Sequence, residues 1–513
     1  VIGTDIGAVS LTAATINLSN DIETDASNIT LTGAVVLDQA TADYTVIVTS
    51  GTSGAGNISF SSTIDAADDT NPEILTIIAG SGTVQISDAI GATKDLGAVT
   101  IQASAATDTG AVTIEEVGSG TTAGATTVTI GNSTTPNDKI TFTGGVFVTS
   151  DDQTFRADAY DMTGTNPTFI ASGKDISFAA SAGASAAGDI VLSDTANLTL
   201  NTGSGATAGN VSIGDTITNV AGDGNDATDV TIIAGSGTVG IAEVSGDIND
   251  LSITTTGNIT LSGDITTAKD TDDTATSAHG DVTITGPVLL GANITIDTDS
   301  DGNNGDVTMT STVMSSTDNG ERTLTIKSGS GPVDIADAIG GTDLRQLGGL
   351  SINASSGSGT IEVEEIGVSN TNAGVDGDVT IGNSATTTIT FDGALYSVGD
   401  AATHDILVKS ASGENIQFTK GAAVEVVTVG AGTITFNNGS DAGSIYLDTG
   451  TSLTINSKGG AIDIASVYGV AGGDNDLTIN ADSTGSSTTE TIKIGAIGSV
   501  NEIGAITLDA ADG

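Results

Sequence analysis

Cysteine is absent, which removes disulfides, thiolate chemistry and cysteine-based metal sites. Tryptophan is absent too, and aromatic residues make up only 3% of the 513. A broad two-layer core normally fills its volume with large rings, so a thin interior of aliphatic side chains is expected. Basic residues are scarce: 12 Lys and Arg stand against 64 Asp and Glu, a formal net charge of −52. Such a surface repels phosphate backbones and anionic lipid headgroups, so nucleic acid and membrane surfaces are poor partners. No apolar run approaches the roughly 18 residues that cross a bilayer as a helix. The opening VIGTDIGAVSLTAATINL has no basic n-region followed by an apolar h-region, hence no signal-peptide pattern. A start and end in mid-pattern suggest a segment of something longer, and a cysteine-free chain with few Lys fits an exported surface protein.

What is abundant is glycine, 70 residues, with Thr, Ser, Asp and Asn. So much glycine weakens helices and suits a chain that turns often. One local unit recurs from end to end: an aliphatic residue, a polar one, another aliphatic, bounded by Gly, Asn or Asp. Ile29-Thr30-Leu31, Val99-Thr100-Ile101, Val128-Thr129-Ile130, Ile259-Thr260-Leu261, Val379-Thr380-Ile381 and Leu453-Thr454-Ile455 are examples. Alternation of period two puts both aliphatics on one face and the hydroxyl on the other. These are short half-buried strands, roughly forty of them at a spacing of roughly a dozen residues.

Longer repeats lie above this unit. LTIIAGSGTVQISDAIG at 75–91 returns as LTIKSGSGPVDIADAIG at 324–340, and VTIGNSTTPNDKITFTGGVF at 128–147 as VTIGNSATTTITFDGALY at 379–396. A third version of the first segment, VTIIAGSGTVGIAEVSG, occupies 230–246. The chain reads as two copies of a block of about 250 residues, about 1–255 and 256–513, in one continuous array. A strand of three to five residues cannot bury its aliphatic face alone, whereas stacked coils cover one another. The expected fold is therefore all-β, an elongated parallel β-helix, or β-solenoid; at two strands to a coil, each coil would span roughly 20–29 residues. Tandem β-sandwich domains are the alternative; they usually show longer strands, aromatic anchors and Pro-marked linkers. The pattern is least clear at 147–175, which carries Arg156, Tyr160 and three Phe, and at 266–281. Both are expected to be loops leaving the coils, where repeat proteins often carry binding roles.

The units GNITLSGDITT (257–267), GDVTITGPVLLGANITI (280–296) and GDVTIGNSATTTITFDG (377–393) resemble the large secreted exoproteins and adhesins related to filamentous haemagglutinin. That resemblance implies a right-handed parallel β-helix, an extracellular or cell-surface location, and a role in adhesion or surface architecture. The amino-terminal secretion domain of that family is not evident.

The sharpest chemical motif is DTDSDGNNGD at 297–306. Asp297, Asp299 and Asp301 followed by Gly302 match the start of a calcium loop, with Asp306 a further carboxylate. Thr308 stands where an EF-hand needs glutamate, so the two readings are a calcium turn at a coil corner and a plain acidic turn. AGDGNDATD at 221–229 keeps Gly222, Gly224 and Asp226 of the calcium-binding nonapeptide, but in a single copy. His279 and His404 are far apart and read as loop residues. Paired carboxylates such as Asp151/Asp152, Asp272/Asp273 and Glu364/Glu365 follow from the acidity; glycoside chemistry needs two in a shaped cleft. Threonine ladders raise ice binding, yet the neighbouring outward residues vary. The functional expectation is a rigid acidic shaft that requires no cofactor and self-associates. A carbohydrate- or protein-binding adhesin and a polysaccharide-active enzyme are the alternatives.

Overall fold

The computed structural model describes residues 7–510, apart from 39–44, 52–55, 69–71, 104–109, 133, 135–136, 180–187, 194–195, 221–227, 269–279, 301–303, 318–321, 342–344, 354–358, 400–403, 412–414, 438–442, 471–473, 482–489 and 499–500. The described residues form 47 strands and no helix. Their ladders are parallel; antiparallel pairing is confined to two isolated bridges, Ser119–Thr122 and Ser369–Asn372. This is a parallel β-solenoid, and the sandwich alternative, which needs antiparallel sheets, does not hold. The chain divides at Gly257/Asn258 into two compact units.

A coil has three strands, not the two expected from spacing. In the first unit, Lys139–Phe142, Val146–Thr149 and Gln153–Arg156 make one circuit. Ala159–Met162, Thr168–Ala171 and Ile176–Ala179 then lie on them in order, with Ile140 against Tyr160, Phe147 against Phe169 and Phe155 against Phe178. Coil length varies: Tyr160 lies 20 residues beyond its partner Ile140, and Ile190 lies 30 beyond Tyr160. The third face was hidden because some strands round a corner without a break. Ile29–Leu37 pairs through its first half with Ile58–Phe60 and through its second with Ile64–Ala66. It bends at Gly33, whose φ of 125° no side-chain-bearing residue adopts readily.

The core sits inside the coils as files of like residues. In the second unit Ile296, Ile326, Ile352, Ile381, Val408, Phe436 and Ile464 stack in register, all at most 1% exposed. The first unit has a matching file through Ile77, Ile101, Ile130, Phe155, Phe178 and Ile213. β-Branched side chains suit this surface because their χ1 is already restricted. Each fully buried one contributes about 1.5–3 kcal/mol of transfer free energy.

The segment 147–175 is not a loop off the coils. Its strands are ordinary members of the stack, and its rings point inward: Phe147, Phe155, Tyr160 and Phe169 are at most 2% exposed. Large rings in inward slots broke the aliphatic pattern without breaking the fold. Gln153, also buried, donates to the carbonyls of Phe147 and Ile170 at 2.9 and 2.8 Å. The Tyr160 hydroxyl accepts from the Ala157 amide and lies 2.9 and 2.8 Å from the Phe155 and Ala179 carbonyls, which share its single proton. Of the second expected loop, Ile265–Ala268 is a strand, and 269–279 lie outside the described residues.

The repeated segments take the same structure in each unit. Ile74–Ile78 and Val84–Ile90 in the first correspond to Thr323–Lys327 and Val333–Ile339 in the second. Glu116 reaches across one coil to accept the Gly145 amide at 3.2 Å; Glu365 accepts the Ala394 amide at 3.0 Å in the same way. The second glutamate of each pair, Glu115–Glu116 and Glu364–Glu365, is thus a coil-to-coil clamp.

Candidate functional site

The aliphatic files are closely packed, so the described coils present their polar groups on the outer faces and corners. The space among Phe391, Tyr396 and Phe436 is about 10 Å³, no more than a single water needs. The outer faces carry the polar middle residue of each strand in register. In the first unit Thr76, Thr100, Thr129, Thr154, Ser177 and Ser212 form one continuous file of hydroxyls. The file is one residue wide: Ala98 and Gln102 flank Thr100, and Arg156 follows Thr154.

Many of the carboxylates have a structural task. Just before a strand begins, an Asp or Asn side chain accepts the backbone amide of the equivalent residue one coil on. Asp152 accepts from Asp175 at 3.0 Å, Asp175 from Asn210 at 2.7 Å, and Asn210 from Thr238 at 2.8 Å. The second unit repeats this with Asp378, Asp405 and the Thr433 amide. Backbone donors at corners lack a ladder partner, and a short acceptor supplies one. Hence the Gly-Asn and Gly-Asp pairs that precede strands in the sequence.

The candidate calcium residues are distributed by this logic. Asp297 lies on the outer face of Ile294–Ser300, 3.2 Å from the Lys327 ammonium of the next coil. Its carboxylate also accepts the Asp299 amide at 3.1 Å. Between them the buried Thr298 hydroxyl donates to the Gly305 carbonyl at 2.7 Å and closes the turn. Asp306 stands at the next strand start, its amide bonded to Asp281 at 2.8 Å. Asp301 lies outside the described residues, as do Gly222, Gly224, Asp226, His279 and the pair Asp272/Asp273. Among the described residues no group of three or more His, Asp or Glu is placed to hold a metal ion. His404 sits at a strand start with Nδ1 3.5 Å from Asp378. Asp151 pairs with Lys174 at 3.0 Å and Glu364 with Lys420 at 3.5 Å. Exposed pairs of this kind contribute about 0–1 kcal/mol each.

Carboxylates stacked one coil apart crowd each other. Partial burial, then the neighbouring Asp215, holds Asp189 above the usual carboxylate range. Burial and then Asp281 do the same to Asp306, burial alone to Asp334. Glu362 is raised by burial and by Asp334, Asp392 and Glu364; Glu115 by burial, Asp88 and Glu116. A raised folded pKa means the folded state takes up protons before the unfolded one does. The penalty is fully present at neutral pH and is relieved as pH falls through the folded values toward the ordinary carboxylate range. Asp151 shifts the other way, lowered first by its bond to Lys174. Urea midpoints should therefore be higher at mildly acidic pH than at pH 7. An unchanged or lower midpoint would count against the burial and crowding of these carboxylates.

No family model, curated protein or solved structure matches the chain.

One outward feature escaped sequence reasoning. Tyr446 and Tyr468 occupy the polar middle slot, where threonine usually stands, and lie in register on neighbouring coils. The sequence signal was a tyrosine between Ile445 and Leu447, and another after Val467.

Proposed function

We propose that the chain is a length of an extracellular structural fibre, a rigid acidic shaft whose work is mechanical rather than enzymatic. The observation that carries this is the unbroken stack within each unit. Backbone ladders and aliphatic files pass from coil to coil, and the space among Phe391, Tyr396 and Phe436 between them is only about 10 Å³. A body held by axial hydrogen bonds and a continuous core resists bending and local opening. The surface charge keeps such a body soluble outside a cell. The resemblance of 257–267, 280–296 and 377–393 to filamentous-haemagglutinin-related exoproteins supports a cell-surface setting. Self-association, end to end or side by side, belongs to this reading. No cofactor is required, but side-by-side contact between like-charged surfaces needs counter-charge, which calcium would supply.

Pulling the full chain from its two ends in a force spectrometer tests the proposal. Expected is a series of unfolding steps at sustained force, each releasing about one coil of 20–30 residues. Collapse of the whole chain in a single low-force event would refute a load-carrying role.

A further inference from the structure

Nine Phe and two of the five Tyr are buried, and Tyr44 lies outside the described residues. Tyr446 and Tyr468 are thus the two described aromatics held on an outer face, and they are adjacent. Tyr468 does not stand up from the sheet. Its hydroxyl bonds to Ser444 and lies 3.4 Å from Ser466. Ser466 is two residues back on the same strand, and Ser444 is its neighbour one coil earlier, 2.7 Å away hydroxyl to hydroxyl. A ring anchored at Cβ and at its hydroxyl, two residues apart along a strand, lies along the surface and turns one face outward. Ser444 bears this out: it belongs to the outward set of its strand, yet is only 5% exposed. Gln417 extends the file in register with Tyr446 and adds an amide.

We infer that Tyr446 and Tyr468 form a binding platform for a neutral saccharide on the outer face of the second unit. An outward ring face packs against the C–H face of a pyranose, and adjoining hydroxyl and amide groups take its hydroxyls. The flat, open setting suits a chain of sugars lying along the face better than a single sugar in a pocket. A surface of net charge −52 disfavours uronates and sulfated sugars, and the hydroxyls and amide beside the rings are neutral groups that match the hydroxyls of a neutral polymer. The platform is independent of load bearing, so either can fail alone.

Isothermal titration of the full chain with cellotetraose, maltotetraose and chitotetraose is the test, with tetragalacturonate as the anionic comparison. At least one neutral tetraose should bind saturably. The Tyr446→Ala/Tyr468→Ala double variant should bind it at least about tenfold more weakly. Tyr468→Phe, which keeps the ring and frees it from the serines, should fall between. Both variants should keep the parent's melting profile, because neither ring is in the core. Three outcomes overturn the platform: no neutral tetraose binds at about 10 mM, the double variant binds as tightly as the parent, or tetragalacturonate binds best.

Discussion

Phe142→Ala is expected to be among the most damaging single substitutions in the first unit, costing about 3–5 kcal/mol. Phe142 is the hub of a buried cluster. Its ring meets Phe147, Phe155 and Phe169 edge-on at 5.0, 5.1 and 5.1 Å, and Phe178 at 6.3 Å. Those partners also stack on one another, Phe147 on Phe169 at 4.6 Å and Phe155 on Phe178 at 4.9 Å. Removing the hub therefore forfeits the ring's own burial and leaves four rings facing a hole. Parallel ladders fix the strands on every side, so collapse of the hole is limited and the cavity term persists. Urea unfolding followed by near-ultraviolet dichroism measures the loss. A cost below about 1 kcal/mol would mean that the cluster repacks and the file is more fluid than its geometry implies.

The same cluster marks the limit of what could be read from sequence. Aliphatic–polar–aliphatic triplets declared strands such as Val128-Thr129-Ile130 and Leu453-Thr454-Ile455, because a two-residue period needs no knowledge of partners. The same pattern, with corner residues and no linkers, favoured a solenoid over sandwiches. It could not number the faces. Ile29–Leu37 reads as one strand and serves two, and the difference lies in a bend at Gly33 that no period reveals. Residues 147–175 looked irregular because rings stood in slots elsewhere given to Ile and Val. The acidic motif at 297–306 has the composition of a cation loop. What separates Asp297 from Asp306 is register, which puts one against Lys327 and the other against Asp281. Local sequence shows which residues face out; only coil stacking shows which of them meet.

Stacking also gives the glycines two different meanings, and a matched pair of variants separates them. Gly237 ends a tight turn, and a Cβ there would run into the Gly209 carbonyl of the preceding coil. Gly257, one coil on, meets the Gly237 carbonyl in the same way. Buried hydroxyls lock this column, Thr202 donating to the Gly209 carbonyl at 2.7 Å and Thr255 to that of Gly237 at 2.5 Å. The obstacle is backbone on both sides, so nothing flexible can give way. Gly240, three residues later in Val239–Val244, has nothing within 4 Å of a built Cβ. Gly240→Ala removes unfolded-state freedom at no steric cost and should stabilise by about 0.5 kcal/mol. Gly237→Ala gains the same entropy but must force adjacent coils apart, and should destabilise by about 3 kcal/mol or more. Opposite displacements of the urea midpoint are thus expected from one substitution type at neighbouring sites. Equal displacements would mean that the coils can separate at this corner, and the axial contact would then not set the spacing of the stack.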